Sequence, residues 1–205
     1  MSELIRRQKL TVQNAIKLRT AVKEDIPELG RVIQFAYRGG KPQRSWTNED
    51  KVVAGIRITV EELESLVAST DKVVILAQMN EEIVGCVLVE KEAEEAHIGM
   101  LAVDPDKQSF GIGKTLLAAA EKHACNSFAC TKSVMTILCG RDELMAWYNR
   151  AGYSDTGKTK PFPKDTGAIE LVSGLYFQIL NKSLVVDATK DSSQEQADPQ
   201  MLNKQ

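Results

Sequence analysis

Long apolar runs are missing from this sequence. No stretch approaches the roughly 20 residues that an apolar helix needs to span a bilayer, so no membrane role is expected. The first 17 residues carry Arg6, Arg7 and Lys9 but no apolar core of secretory-leader length. An excess of one charge sign is missing too. The formal net charge of −2 leaves no basic field to draw nucleic acid or an anionic membrane. The four cysteines (Cys86, Cys125, Cys130 and Cys139) include no C-x-x-C pair and sit in apolar or helical stretches, so they read as reduced, small buried side chains. No metal centre is expected, and no internal repeat is visible. The setting implied is cytoplasmic, with nuclear access left open. A length of 205 residues suits one domain.

The periodicity is legible. Ile16–Thr20 alternates as a short strand. Asp25-Ile-Pro27 opens a helix, with Asp25 at the N-cap, an apolar face of Ile26, Leu29, Val32, Ile33, Phe35 and Ala36, and Gly39-Gly40-Lys41-Pro42 as its stop. Val52–Ile58 is ambiguous. Thr59 and Glu62 form a capping box for a helix reaching Ser69. Val73–Ala77 and Ile83–Val89 are β-rich runs around an Asn80-Glu-Glu hairpin turn, and the charged stretch Glu90–Glu95 reads as an exposed turn. Then follow a strand from His97 to Val103, a helix from Gly111 to about Cys130, a buried strand Val134–Leu138, and a helix Asp142–Arg150 stopped by Gly152. Strands starting at Tyr153 and covering Leu175–Leu180 close the series. Residues 1–14 are expected to be flexible, 15–185 to form the domain, and 186–205, polar and charged, to be a disordered tail. Strands joined by short turns pair antiparallel, whereas the strand-helix-strand unit from His97 to Leu138 pairs parallel. The fold class expected is α/β (α+β), a single mixed, mostly antiparallel sheet with helices on both faces.

Between the third main strand and its helix lies Gln108-Ser-Phe-Gly111-Ile-Gly113-Lys114. Two missing Cβ atoms ahead of the uncapped N–H groups of a helix make room and donors for an anion, although a bare G-x-G also serves simply as a tight turn. Lys114 stands where the helix dipole alone disfavours a cation. A dinucleotide-binding turn needs a third glycine at position 116, which is Leu, and a Walker loop needs glycine at position 108, which is Gln.

Leu101-Ala-Val103-Asp-Pro105 followed by Gln108-Ser-Phe-Gly111-Ile-Gly113 resembles motif A of the GNAT superfamily of acetyl-CoA-dependent N-acetyltransferases. Leu144-Met-Ala-Trp-Tyr148-Asn-Arg-Ala-Gly152-Tyr153 resembles its motif B. The similarity spans residues 16–184. Trp46-Thr-Asn-Glu49, Gly55-Ile-Arg57 and Gly152-Tyr…Pro161-Phe-Pro163 resemble a subgroup of microbial and fungal members whose substrates are mostly unassigned. The resemblance implies an acyl-CoA N-acyltransferase fold with a splayed parallel strand pair. It implies direct attack of an amine on the acetyl-CoA thioester, through a tetrahedral intermediate.

By the same resemblance, the backbone of Gln108, Phe110, Gly111, Ile112, Gly113 and Lys114 binds the pyrophosphate. Leu101 and Val103 pair with the pantetheine arm, and an N–H near Leu101 or Ala102 meets the thioester oxygen. Tyr148 corresponds to the general acid, or serves as a core tyrosine. His97 falls where some histone acetyltransferases place a glutamate base, and an imidazole changes charge near neutral pH. Glu95 shares its parity and could relay a proton through water. Glu49 and Arg57 either shape the acceptor side or pair with each other. Where many members carry Asn, seven residues before the motif B tyrosine, this chain has Arg141, so that role is not carried over. The partners implied are acetyl-CoA and an amine acceptor, most simply a small molecule. A lysine or N-terminal amine of a protein, an acidic one drawn by the basic loop of Lys158, Lys160 and Lys164, or a catalytically silent acyl-CoA sensor are the alternatives. Neither monomer nor homodimer is indicated.

Overall fold

The β-rich runs pair into the centre of the sheet. In this computed structural model, which describes residues 16–40, 47, 49–164 and 167–184, β3 (Lys72–Met79) and β4 (Glu82–Glu92) form an antiparallel hairpin. Asn80 and Glu81 close it with φ of 50° and 67°, the left-handed pair that matches strand twist in a two-residue turn. β4 returns antiparallel into β5 (Glu95–Val103), and β1 (Lys17–Thr20) lies along the outer edge of β3. Beyond β5 come β6 (Lys132–Leu138), β9 (Tyr176–Ser183) and β7 (Ser154–Pro161), giving the order β1-β3-β4-β5-β6-β9-β7. Among the described residues only the β5–β6 pair is parallel. A two-stranded sheet, β2 (Val53–Ala54) with β8 (Ile169–Glu170), resolves part of the ambiguous early run.

Both faces of the main sheet are covered. α1 (Ile26–Arg38) and α2 (Val60–Ala68) seal one face through Leu29, Ile33, Leu63, Leu76 and Cys86. α3 (Ile112–Asn126) and α4 (Asp142–Arg150) cover the other, where Leu116, Leu117, Ile98, Tyr148 and Leu180 share a second core. Each fully enclosed leucine of this kind contributes roughly 2–3 kcal/mol. The expected capping box is present: the Glu62 N–H donates to Thr59 Oγ1 and the Thr59 N–H to Glu62 Oε2.

Three expectations need correction, and a fourth, the N-cap, holds with a different use of its side chain. Asp25 does stand at the N-cap of α1, but its side chain makes no cap bond. Arg19 takes the carboxylate through both oxygens and the Val22 N–H donates to it, and the guanidinium holds this carboxyl below the usual range. The charged stretch 90–95 is mostly strand, because its charges lie on an exposed rim where Lys72 pairs with Glu90 at 2.6 Å. The turn itself is only Ala93 and Glu94. α3 stops at Asn126, since the Ser127 and Phe128 N–H groups both return to the His123 carbonyl. Lys158 and Lys160 belong to β7 rather than to a loop. The flexible segment 1–14, the tail 186–205, Lys41, Pro42 and Trp46 lie outside the described residues.

β5 changes character along its length. Its parallel pairing with β6 runs only from Glu95 (against Lys132) to His97 (against Val134). Its register with β4 slips between Cys86 and Leu88, opposite Met100, whose φ is 49°. That bulge reverses side-chain parity: Ile98 faces the α3 core, whereas Met100 and Ala102 face the α1 core. By then β5 and β6 have already parted company, after His97 and Val134.

Candidate active site

The parted strands open a cavity of about 270 Å³. One end is the glycine turn: Gln108, Ser109, Gly111, Ile112, Gly113 and Lys114. Leu101 and Val103 form the floor, and Leu144, Trp147 and Tyr148 the far wall; Thr47 completes the lining. Gly111 is the N-cap of α3 with φ of 83°, a conformation other residues adopt only under strain, and it offers no side-chain cap. The first N–H groups of α3 are therefore left for a ligand, beside Lys114. A Cβ on Gly113 would stand 3.8 Å from Val103 Cγ2 and 4.0 Å from Trp147 Cζ2, so this position keeps the cavity open.

The floor presents backbone. The Ala102 carbonyl oxygen lies 2.7 Å from where Gly85 would carry a Cβ, so it faces β4 and only glycine fits opposite it. Alternation turns the backbone groups of Leu101 and Val103 to the other edge, where β6 no longer pairs. Side chains hold both carbonyls there. The Tyr37 hydroxyl donates to Leu101 O at 3.3 Å, and Gln108 Nε2 donates to Val103 O at 3.3 Å.

Two tyrosines approach this floor. Tyr148, on α4, is 7% exposed, and its ring meets Trp147 and Tyr153 edge-on at 4.8 and 5.9 Å. No described residue hydrogen-bonds its hydroxyl. Burial pushes its pKa up, so the phenol stays protonated and is suited to donating a proton. Tyr37, on α1, is pushed up to about 12, again by burial, against the pull of Arg57 and Arg141.

The predicted site residues do not all gather. Leu101, Val103, Gln108, Gly111, Ile112, Gly113, Lys114 and Tyr148 line the cavity. Ala102 and Phe110 do not: the first is buried beneath the strand and the second packs against the α3 core. His97 and Glu95 lie on the paired half of β5, outside the cavity. The His97 Nε2 is 2.9 Å from Glu92 Oε2, and Lys132 holds Glu95 at 2.8 Å, which lowers the Glu95 pKa. Gly99, two residues nearer the bulge on the same side as His97, has open space where a Cβ would point. Glu49 and Arg57 are not a pair. Glu49 bonds Arg38 at 2.7 Å, while the Arg57 guanidinium stacks 4.7 Å over the Tyr37 ring. Arg141 is half-buried ahead of α4, close enough to act on both tyrosine hydroxyls. Sequence reasoning missed Tyr37 and Trp147. Tyr37 extends the Ile26–Leu29–Ile33 stripe by one turn, and a tyrosine ending a buried stripe was the available signal.

A model of the acetyltransferase (GNAT) domain matches residues 46–163. The chain belongs to the GNAT acetyltransferase family. Solved structures agree on the fold of this GNAT chain. The ribosomal-protein-S18-alanine N-acetyltransferase of Escherichia coli superposes with a TM-score of 0.62 at 14% identity, over 85% of this chain and 97% of that one. The PaiA N-acetyltransferase of Thermoplasma acidophilum, solved with coenzyme A, gives 0.58 at 19%, over 82% and 98%. A spermidine N-acetyltransferase chimera of Vibrio cholerae and hSSAT gives 0.60 at 14%, over 83% and 96%. At these identities the likeness is one of fold. No curated protein matches the chain by sequence. Among the described residues no helix is long and apolar enough to cross a membrane, and no cluster of three metal-ligating side chains is present.

Proposed function

We propose that this GNAT chain moves acetyl from acetyl-CoA to a primary amine carried by a small molecule. The observation that carries the reading is one cavity in which an uncapped helix start, a strand edge past its last pairing with β6 and a tyrosine hydroxyl that no described residue bonds meet. Acetyl-CoA has a part for each: a pyrophosphate for the α3 amides and Lys114, a pantetheine arm for the Leu101 and Val103 edge, and a thioester sulfur for Tyr148. The Thermoplasma relative solved with coenzyme A supports that choice of ligand. When bound, the thioester supplies the acetyl group.

The chain's own groups do the rest. An N–H of the Leu101–Ala102 segment stabilises the carbonyl oxygen as charge develops, a contribution typically of about 3–4 kcal/mol. Tyr148, held protonated by burial, donates to the departing thiolate. His97 takes the amine's proton through water along the open strip beside Gly99, with Glu92 holding the imidazole.

The test is calorimetry with acetyl-CoA, followed by thiol release against small amines, peptides bearing lysine and peptides with free N-termini. Saturable binding with turnover of small amines is the expected result. No binding overturns the reading, and turnover of peptides alone moves it to a protein acetyltransferase. Binding without turnover of any acceptor, unchanged in Tyr148→Phe, leaves a silent sensor.

A further inference from the structure

We infer that the amine acceptor carries a carboxylate, and that Arg57 receives it; the acceptor class is the free amino acid. This rests on the acetyltransferase reading and adds to it what the acceptor side recognises.

Arg57 is half-buried and conspicuous for what it does not bond. Arg19 is taken by Asp25, Arg38 by Glu49, Arg31 by Glu28 and Lys182 by Glu121. Arg57 has its backbone N–H on Gln34 Oε1 and its guanidinium over the Tyr37 ring, and among the described residues no carboxylate or carbonyl meets its side-chain donors. A cation–π contact with the ring steadies the guanidinium without using its N–H donors, which remain able to grip a carboxylate with two parallel hydrogen bonds. Glu49, whose charge also acts on Tyr37, is already neutralised by Arg38.

Position gives the cation its meaning. The hydroxyl of Tyr37 holds the Leu101 carbonyl at the edge where the strands part. Arg57 thus lies over the face of the phenol whose hydroxyl meets the edge that receives the thioester, a separation on the scale of a short amino acid with its carboxylate at one end and its amine at the other. The local charge agrees. Arg57 and Arg141 both bear on Tyr37, and the carboxylate that acts there against them, Glu49, is one that Arg38 has claimed. A polyamine would bring cations into that field, whereas an amino acid brings a compensating anion.

The experiment measures kcat/KM by thiol release for matched triplets: an amino acid, its amide, and the amine lacking the carboxylate (alanine, alaninamide and ethylamine, and likewise for larger side chains). The acid is expected to exceed its amide and its amine by about 30-fold, the range of a charge-assisted pair. Arg57→Met, which keeps a long stem on the tyrosine, should bring that ratio to within about threefold of unity, and Arg57→Lys should fall between. Melting curves confirm that each variant is folded. If the amide or amine serves the wild type as well as the acid, or if Arg57→Met lowers all three alike, the inference falls while the acetyltransferase reading stands. If acetyl-CoA binds but nothing turns over, calorimetry on the CoA-bound protein decides: carboxylate-bearing amines that bind the wild type and not Arg57→Met support the inference, and no such difference overturns it. Failure to bind acetyl-CoA overturns both.

Discussion

The two halves of β5 share a strand and little else. From Glu95 to His97 the chain is paired on both sides, to β4 and to β6, and its backbone is spent on the sheet. What it offers outward is side chains, His97 and Glu95. From Leu101 to Val103 it is paired on one side only, and it offers backbone, with the side chains sunk in the core or forming the floor. One bulge at Met100 separates the halves. A sheet that stays closed needs its ladder groups, whereas one that parts can lend them to a ligand without a single specialised side chain. Chemistry on the open half should therefore depend on shape, and chemistry on the closed half on residue type.

The largest effect should come from filling the open half. Gly113→Leu projects from α3 toward Val103 and Trp147 without requiring a positive φ. It should weaken acetyl-CoA by at least about 100-fold in calorimetry while the melting temperature holds, because Leu suits a helix better than Gly. Normal affinity would mean the cavity is not the cofactor site. Next comes Tyr148→Phe. The ring packing against Trp147 and Tyr153 survives, and only the hydroxyl goes. We expect kcat to fall on the order of 100-fold with KM for acetyl-CoA little changed, the signature of a lost proton donor.

How far these features could be read from the sequence follows the same division. The strands and helices were legible because their apolar periods are strong, and Gly111 and Gly113 marked the helix start because only a ligand or a tight turn needs two missing side chains there. The splay was not written in any local pattern: Leu101-Ala-Val103 reads as ordinary strand, and its freedom arises because β6 diverges after Val134. Tyr37, and its contact with the acceptor-side candidate Arg57, escaped for a related reason. They are 20 residues apart in sequence, on α1 and in the loop before α2, and only the packed fold stacks one on the other. The glycine turn announces itself locally, but an acceptor pocket assembled from distant segments does not.

The closed half predicts smaller, side-chain-specific effects. His97→Gln keeps a hydrogen-bonding group near Glu92 but removes the proton-accepting imidazole. With His97 as the base, kcat should fall about tenfold or more while KM for acetyl-CoA holds. An unchanged kcat would confine His97 to its pairing with Glu92.

The smallest effect belongs to Glu95→Gln, and it separates the relay from the scaffold. Lys132 holds the Glu95 carboxyl below its usual range, so this group favours folding at pH values above the ordinary carboxylate pKa, and that contribution is lost as acid drives the pH down through the lowered value. Side chains about 40% exposed screen the pair well. The substitution should therefore cost no more than about 0.5 kcal/mol near pH 7 in urea unfolding, and the difference from wild type should fade in acid. A kcat lowered by several-fold at unchanged stability would instead enlist Glu95 in the proton path. The closed half of β5 would then be working as a unit of two side chains rather than through His97 alone.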